Sequence, residues 1–352
     1  MNQTGRASPT AEIQSAPAFL VSYAALCEPR LRAFLERKGA GLAQLPVDLR
    51  PAHALLTDYA LRGGKRLRGA LALLGFEAAG GRPVDILDAS VGLELLHAYL
   101  LVHDDFMDRD EVRRGGPTIH ASLRASAGEH LGGSVAILLG SLCQAWAWEL
   151  ILAAPVSPQR ALSAAQLLAQ ALQEVTVGQA LDLLAPLGAP LPPRGVSEVQ
   201  RLKTGSYTFE LPLRLGALLG GASPELLAAL QAYARPLGQA FQIADDLLGT
   251  FGEPGVTGKA NASDLREGKR TLLIARAEEL ATSADAAALR EQLGKPDANL
   301  DELRQILRRS GAEEASRDEA KRLCAEALRA PLPESVAARL HEIARYAVDR
   351  NL

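Results

Sequence analysis

Three aspartates, Asp104, Asp105 and Asp108, follow a run of almost wholly apolar residues that begins at Leu95. On a helix Asp104 and Asp108 lie one turn apart on a shared face, with Asp105 beside them. Like charges at that spacing oppose helix formation, so the pattern asks for a compensating cation. Oxygen ligands with no cysteine favour a hard ion such as Mg²⁺, which keeps waters and bridges to substrate phosphates. A solvated acidic helix end is the plainer alternative. The apolar approach and the Arg113-Arg114-Gly115-Gly116 that follows argue against it. His97 stands seven residues before Asp104, two turns up the same face.

A second acidic group occurs about 140 residues downstream, where Gln242, Asp245 and Asp246 share a helix face. Two acidic helices facing one another could clamp metal ions around one diphosphate. Basic residues accompany them. Gly63-Gly64-Lys65-Arg66-Leu67-Arg68 is expected to open a helix, so that backbone N–H groups and cations converge on an anion. Lys203-Thr204 is expected to interrupt a helical segment. Thr257-Gly258-Lys259 and Asp264-Leu265-Arg266-Glu267-Gly268-Lys269 lie beyond the second acidic group. Any one of these is ordinary surface; together they suit two diphosphates side by side. Their mutual repulsion is large in a low-dielectric space, and metals at one with Arg and Lys at the other would let both bind.

The elements that must carry these groups read as helices. The chain has 352 residues, 48% hydrophobic and rich in Ala and Leu, with aromatics at only 4% and no strand-like alternation. Breakers fall at Gly63-Gly64, Gly80 to Pro83, Gly115 to Pro117, Pro155 to Pro158, Gly188 to Pro193 and Gly220-Gly221. The segments between them, roughly 15 to 30 residues each, suit an all-α bundle of long helices around a central cavity. The stretch from Phe251 to Arg270 reads as a long functional loop. No fixed-period repeat appears, which disfavours a solenoid. One domain over residues 17–352 is expected, after a disordered tail over 1–16.

A net charge of −3 excludes a general affinity for nucleic acid or anionic lipid. Three scattered cysteines give neither a disulfide framework nor a zinc site and fit a reducing, cytoplasmic setting. Neither a secretory signal nor a membrane span is expected.

In its motifs and their order the chain resembles the trans-type polyprenyl (isoprenyl) diphosphate synthases, from about residue 48 onward. The resemblance rests on Gly-Gly-Lys-Arg-Leu-Arg, His-Asp-Asp-x-x-Asp with its Arg-Arg-Gly, Gly178-Gln179, Lys203-Thr204, the second Asp-Asp and Asp-Leu-Arg-Glu-Gly-Lys. It implies an isoprenoid-synthase fold, a homodimer and a head-to-tail condensation of isopentenyl diphosphate with an allylic diphosphate. Asp104, Asp108 and Asp245 would ligate Mg²⁺, three ions per site once the allylic diphosphate is bound. Asp105 and Asp264 would support them through hydrogen bonds or metal-bound water, and Asp246 belongs to the second metal group beside Asp245. Arg113, Lys203, Lys259 and Lys269 would hold the allylic diphosphate, and Thr204 and Gln242 would face the carbocation. Gly64, Lys65, Arg68, His97 and Arg114 would grip isopentenyl diphosphate. Ionisation, condensation and elimination would follow, the proton passing to the released diphosphate.

Two positions depart from that pattern. Gly249 and Ser141 stand where many members carry aspartate, which puts outer metal support and one polar contact in question. By the same resemblance the growing chain runs along the helix before Asp104. Tyr99, about 7.5 Å up that helix, would then floor a short product beside Leu100, geranylgeranyl (C20) in preference to farnesyl (C15). A non-catalytic regulatory subunit would have lost aspartates or cations. A class I terpene cyclase would carry a different second metal motif and need no second diphosphate site.

Overall fold

The computed structural model describes residues 15–42, 45–187, 191–252, 263–266 and 268–349. Most of the expected tail, and Thr257, Gly258, Lys259 and Glu267, lie outside the described residues. The chain runs through α1 (Ala16–Leu42), α2 (Arg50–Leu61), α3 (Leu67–Ala78) and α4 (Leu87–Met107). A short hairpin, β1 (Val112–Arg113) with β2 (Gly116–Pro117), leads to α5 (Ile119–Leu152) and α6 (Pro158–Leu184). Then come α7 (Pro193–Gln200), a π-helical segment (Arg201–Glu210), α8 (Leu211–Gly220) and α9 (Pro224–Phe251). The remainder is α10 (Ser263–Arg266), α11 (Leu272–Leu280), α12 (Ser283–Gln292), α13 (Leu300–Arg309), α14 (Ala312–Ala327) and α15 (Glu334–Asp349). The expected all-α class holds, and each breaker cluster falls between helices or in the hairpin.

The helices form where the sequence supplies apolar stripes and starting caps. Ser223, Thr271, Thr282 and Asn299 each accept a hydrogen bond from the backbone N–H three residues on, satisfying a donor the helix leaves open. One cluster of buried side chains extends from Ala16 in α1 to Val348 in α15. At its centre α4 packs along α5, while α3 packs on α8 and α9 on the π segment.

Lys203 and Thr204 do not break a helix as expected. They lie in an unbroken helical run from Pro193 to Gly220, of which the π segment is the middle. The wider turn is a common device at functional sites, and close neighbours hold it. A Cβ on Gly178 of α6 would come within 2.3 Å of the Lys203 backbone nitrogen. Only glycine lets α6 approach that closely, which gives the Gly178-Gln179 motif its physical reason.

Two stretches, Pro83–Met107 and Ile119–Leu152, are long and apolar enough to cross a membrane by length and composition alone, a test that the core helices of a globular fold also pass. Burial accounts for the first, since 67% of its apolar window lies inside the fold. A helix packed on all sides needs no polar face. Only 39% of the second window is buried, and Leu131 and Leu138 on it are exposed.

Candidate active site

The C-terminal end of α4 brings Asp104 to a cavity of about 850 Å³, whose lining includes neither Asp105 nor Asp108. Asp104 lines it together with Asp245, Asp246 and Asp264, so both acidic groups reach one space. Lys203, Thr204, Gln242, Arg113, Arg114, His97 and Lys269 line it too. Tyr99, Leu100, Val175 and Leu183 are among the apolar side chains that line it.

The three aspartates of α4 have different tasks. Asp104 Oδ1 is 3.3 Å from Lys203 Nζ, and Asp108 Oδ2 is 3.1 Å from Lys269 Nζ. Both oxygens are buried, yet neither contact has hydrogen-bond geometry. Burial opposes ionisation of Asp104, but Lys203, Arg113 and Lys269 outweigh it and hold its carboxyl below the usual range. Asp108 is pushed up, by burial and then by Asp104 beside it. Asp105 turns away. It is 1% exposed, accepting a hydrogen bond from Tyr59 OH at 2.6 Å and one from Arg113 Nε at 2.6 Å. The hydrogen-bonding support expected of it goes to Arg113 and Tyr59.

Arg113 spans Asp105, Asp110 at 2.7 Å and Asp104 at 3.6 Å. Arg114 goes elsewhere because the hairpin turns at once. Arg114 and Gly115 have φ of 50° and 72°, the paired positive values of a type I′ turn. Its Nη2 reaches within 3.3 Å of His97 Nε2 and its Nη1 donates to the Arg62 carbonyl at 3.3 Å. Burial, then Arg68, Arg114, Arg113 and Arg66, push the His97 imidazole well below its usual range, so it is neutral.

The second acidic group is also divided. Asp246 is buried, and its two oxygens accept from Gln242 Nε2 at 2.8 Å and Gln200 Nε2 at 2.6 Å. Burial and then Asp264 push its carboxyl well above the usual range. The two hydrogen bonds tie it to Gln242 and Gln200, while it lines the cavity beside Asp245. Ser141 is exposed and donates to the Ile137 carbonyl one turn back, taking no part in the cavity wall.

Gly64, Lys65 and Arg68 do not line the cavity. Arg68 packs against Tyr207, which does line it. The Arg68 guanidinium lies 4.4 Å from the Tyr207 ring centre and donates to Thr208 Oγ1 at 2.8 Å. Gly64 faces the Arg114 guanidinium. The N-terminus of α3 is less open to an anion than expected, because the Gly69 N–H already donates to buried Glu94 of α4 at 2.8 Å. That bond, with Arg66 buried beneath, fixes the Gly-Gly-Lys-Arg turn relative to His97 on α4.

Sequence reasoning missed Tyr59, Asp182, Gln200 and Tyr207. Asp182 accepts from Lys203 Nζ at 2.7 Å, so Lys203 bridges α6 and α4. Burial works against the Lys203 charge, but Asp104, Asp182 and Asp108 prevail and its ammonium is held above the usual range. Asp182 follows Gly178 by one helical turn, a spacing that could have flagged it.

Among the described residues no three carboxylates, cysteines or histidines gather into a closed metal cage. The donor set still suits Mg²⁺, an ion that takes one or two carboxylates and completes its shell with waters and phosphate. The hydrogen-bond-poor buried oxygens of Asp104 and Asp108 fit that use.

The sequence profile described as polyprenyl synthetase matches residues 51–309. The chain is 36% identical to a geranylgeranyl diphosphate synthase of Methanosarcina mazei over 75% of this chain and 76% of that one. It is 35% identical to a (2E,6E)-farnesyl diphosphate synthase of Mycobacterium tuberculosis, over 82% and 80% of the two. A crystal structure of geranylgeranyl pyrophosphate synthase from Corynebacterium glutamicum, complexed with isoprenyl diphosphate and magnesium, matches with a TM-score of 0.89. It is 34% identical and covers 94% of this chain and 99% of that one.

Proposed function

The chain belongs to the polyprenyl synthetase family, and from that premise we propose that it is a Mg²⁺-dependent head-to-tail prenyltransferase. It condenses isopentenyl diphosphate with an allylic diphosphate into a short all-trans prenyl diphosphate, geranylgeranyl in preference to farnesyl. The observation that carries this reading is the shared cavity. Asp104 and Asp245 line it from distant parts of the chain, and cations and apolar side chains line it with them.

Asp104 and Asp108, with Asp245 from α9 and support from Asp264, would hold Mg²⁺. When bound, the metal supplies positive charge that stabilises the departing diphosphate. Lys203, Arg113 and Lys269, with Lys259, bind the same diphosphate and keep its charge compensated in a space of low dielectric. Thr204 and Gln242 face the allylic cation. The Gln242 amide nitrogen donates to Asp246, which leaves its carbonyl oxygen to meet positive charge. Neutral His97 with Arg114, Lys65 and Arg68 holds isopentenyl diphosphate, whose double bond attacks the cation. The proton then passes to the released diphosphate.

Tyr99 floors the product channel. Its ring lies edge-on to His103 at 4.7 Å, and His103 Nε2 is 2.9 Å from the Ile137 carbonyl of α5, so the floor is braced from the next helix. Exposed Leu131 and Leu138 of α5 and Val177 and Leu181 of α6 support a homodimer. Three buried free thiols, Cys27, Cys143 and Cys324, support a reducing cytoplasm.

The test is incubation with isopentenyl diphosphate, Mg²⁺ and each of the C5, C10 and C15 allylic diphosphates, followed by product chromatography. Elongation to C20 is the expected outcome. Failure to elongate any primer would rule the reading out.

A further inference from the structure

The last helix of the chain reaches the turn that carries Lys65. Tyr346 of α15 packs on the core, half-buried, and the Lys65 ammonium lies 5.1 Å from the centre of its ring. Lys65 itself is exposed and sits at the end of the Gly63-Gly64-Lys65-Arg66 turn. A long flexible side chain at such a place carries a rotamer entropy cost when it must grip an anion. An aromatic face beneath its ammonium offsets part of that cost, because a cation within about 6 Å of a ring centre is attracted to it.

The ring is held firmly enough to do this. Arg339 of α15 donates to Glu77 at the other end of α3 at 2.6 Å. Tyr233 OH of α9 donates to the Leu340 carbonyl at 2.6 Å. Val336, Leu340, Ile343, Ala344 and Ala347 form the buried stripe of α15. The helix is thus pinned to α3 and to α9, the helix that carries Asp245.

We infer that Tyr346 is a positioning residue for isopentenyl diphosphate: its ring orients the Lys65 ammonium toward the second diphosphate. The inference rests on the reading that Lys65 binds that substrate. It makes the C-terminal helix a part of the substrate site, although no residue of α15 lines the cavity.

The experiment is a double-mutant cycle in steady-state kinetics on the full chain. It uses Tyr346→Leu, which keeps apolar bulk on the core, Tyr346→Phe, Lys65→Ala and the Lys65→Ala/Tyr346→Leu pair. Tyr346→Leu should raise KM for isopentenyl diphosphate about two- to five-fold. kcat and KM for the allylic substrate should stay as they are, and Tyr346→Phe should match the parent. In the Lys65→Ala background Tyr346→Leu should add nothing. An unchanged KM, or the same increase with and without Lys65, overturns the role of Tyr346 while leaving the substrate assignment intact. No effect of Lys65→Ala on that KM overturns the assignment itself, and the inference with it.

Discussion

Lys203 Nζ lies 3.3 Å from Asp104 Oδ1, joining the π-helical segment to the end of α4 inside the cavity. The same ammonium donates to Asp182 at 2.7 Å. One cation is therefore shared by two carboxylates from two different helices.

Removing that cation leaves Asp104 and Asp182 facing uncompensated negative charge. Lys203→Gln is expected to lower kcat for elongation by about 10²- to 10³-fold, the usual cost of losing one preorganised group that stabilises a developing anion. Asp182→Asn, which frees Lys203 without removing it, should have the milder effect. Initial-rate assays at saturating substrates read both. Equal rates for Lys203→Gln and the parent would show that the contact only stabilises the fold.

The His97 imidazole is held well below its usual range by burial and by the surrounding arginines. Its folded-state pKa is depressed, so the unfolded chain binds the proton more readily. The stability it contributes is present above its unfolded pKa of about 6.5 and is lost as pH falls below that value. Burial depresses His53, His103 and His120 in the same direction. Thermal melts between pH 7.5 and 5.5 should show Tm falling on acidification, with a shallower slope in His97→Gln. An identical slope would place the linkage on the other histidines.

Gly249 stands where many relatives carry aspartate, yet the position is not vacant. A Cβ there would come within 2.9 Å of Asp264 Oδ2. Gly249→Asp should displace the Asp264 carboxylate and add a like charge beside it. A higher Mg²⁺ concentration at half-maximal rate is expected, with no gain in kcat. Calorimetric titration of Mg²⁺ into the protein with inorganic diphosphate gives the same comparison without turnover. A lower Mg²⁺ requirement would mean that the site lacks the carboxylate rather than having it supplied by Asp264.

Tyr99 and His103 line the cavity with their rings in edge-on contact. Tyr99→Ala opens space along α4 and should shift products beyond C20, as read by reversed-phase chromatography of the dephosphorylated alcohols. An unchanged product length would place the floor elsewhere.

The two acidic groups, the cations and the helical class were legible because each is a local pattern. Asp104 and Asp108 announce themselves by spacing, and glycine-proline clusters mark the helix ends. Partners brought together only by packing were not legible. Tyr59 meets Asp105 across 46 residues, as Gln200 meets Asp246. Those contacts tie down Asp105 and Asp246, and no local pattern in the sequence points to their partners. Lys203-Thr204 was misjudged as a break because a π turn leaves no breaker in the text. Gly178, on another helix, makes the close approach to it.

The division of labour between the two diphosphate sites is tested most directly by binding with and without Mg²⁺. Calorimetry with isopentenyl diphosphate should give the same affinity in Mg²⁺ and in EDTA, since Lys65, Arg68, His97 and Arg114 need no metal. A non-ionisable thio analogue of geranyl diphosphate should bind in Mg²⁺ and lose most of its affinity in EDTA. Equal dependence of both ligands on Mg²⁺ would contradict the assignment of the aspartates to one diphosphate and the cations to the other.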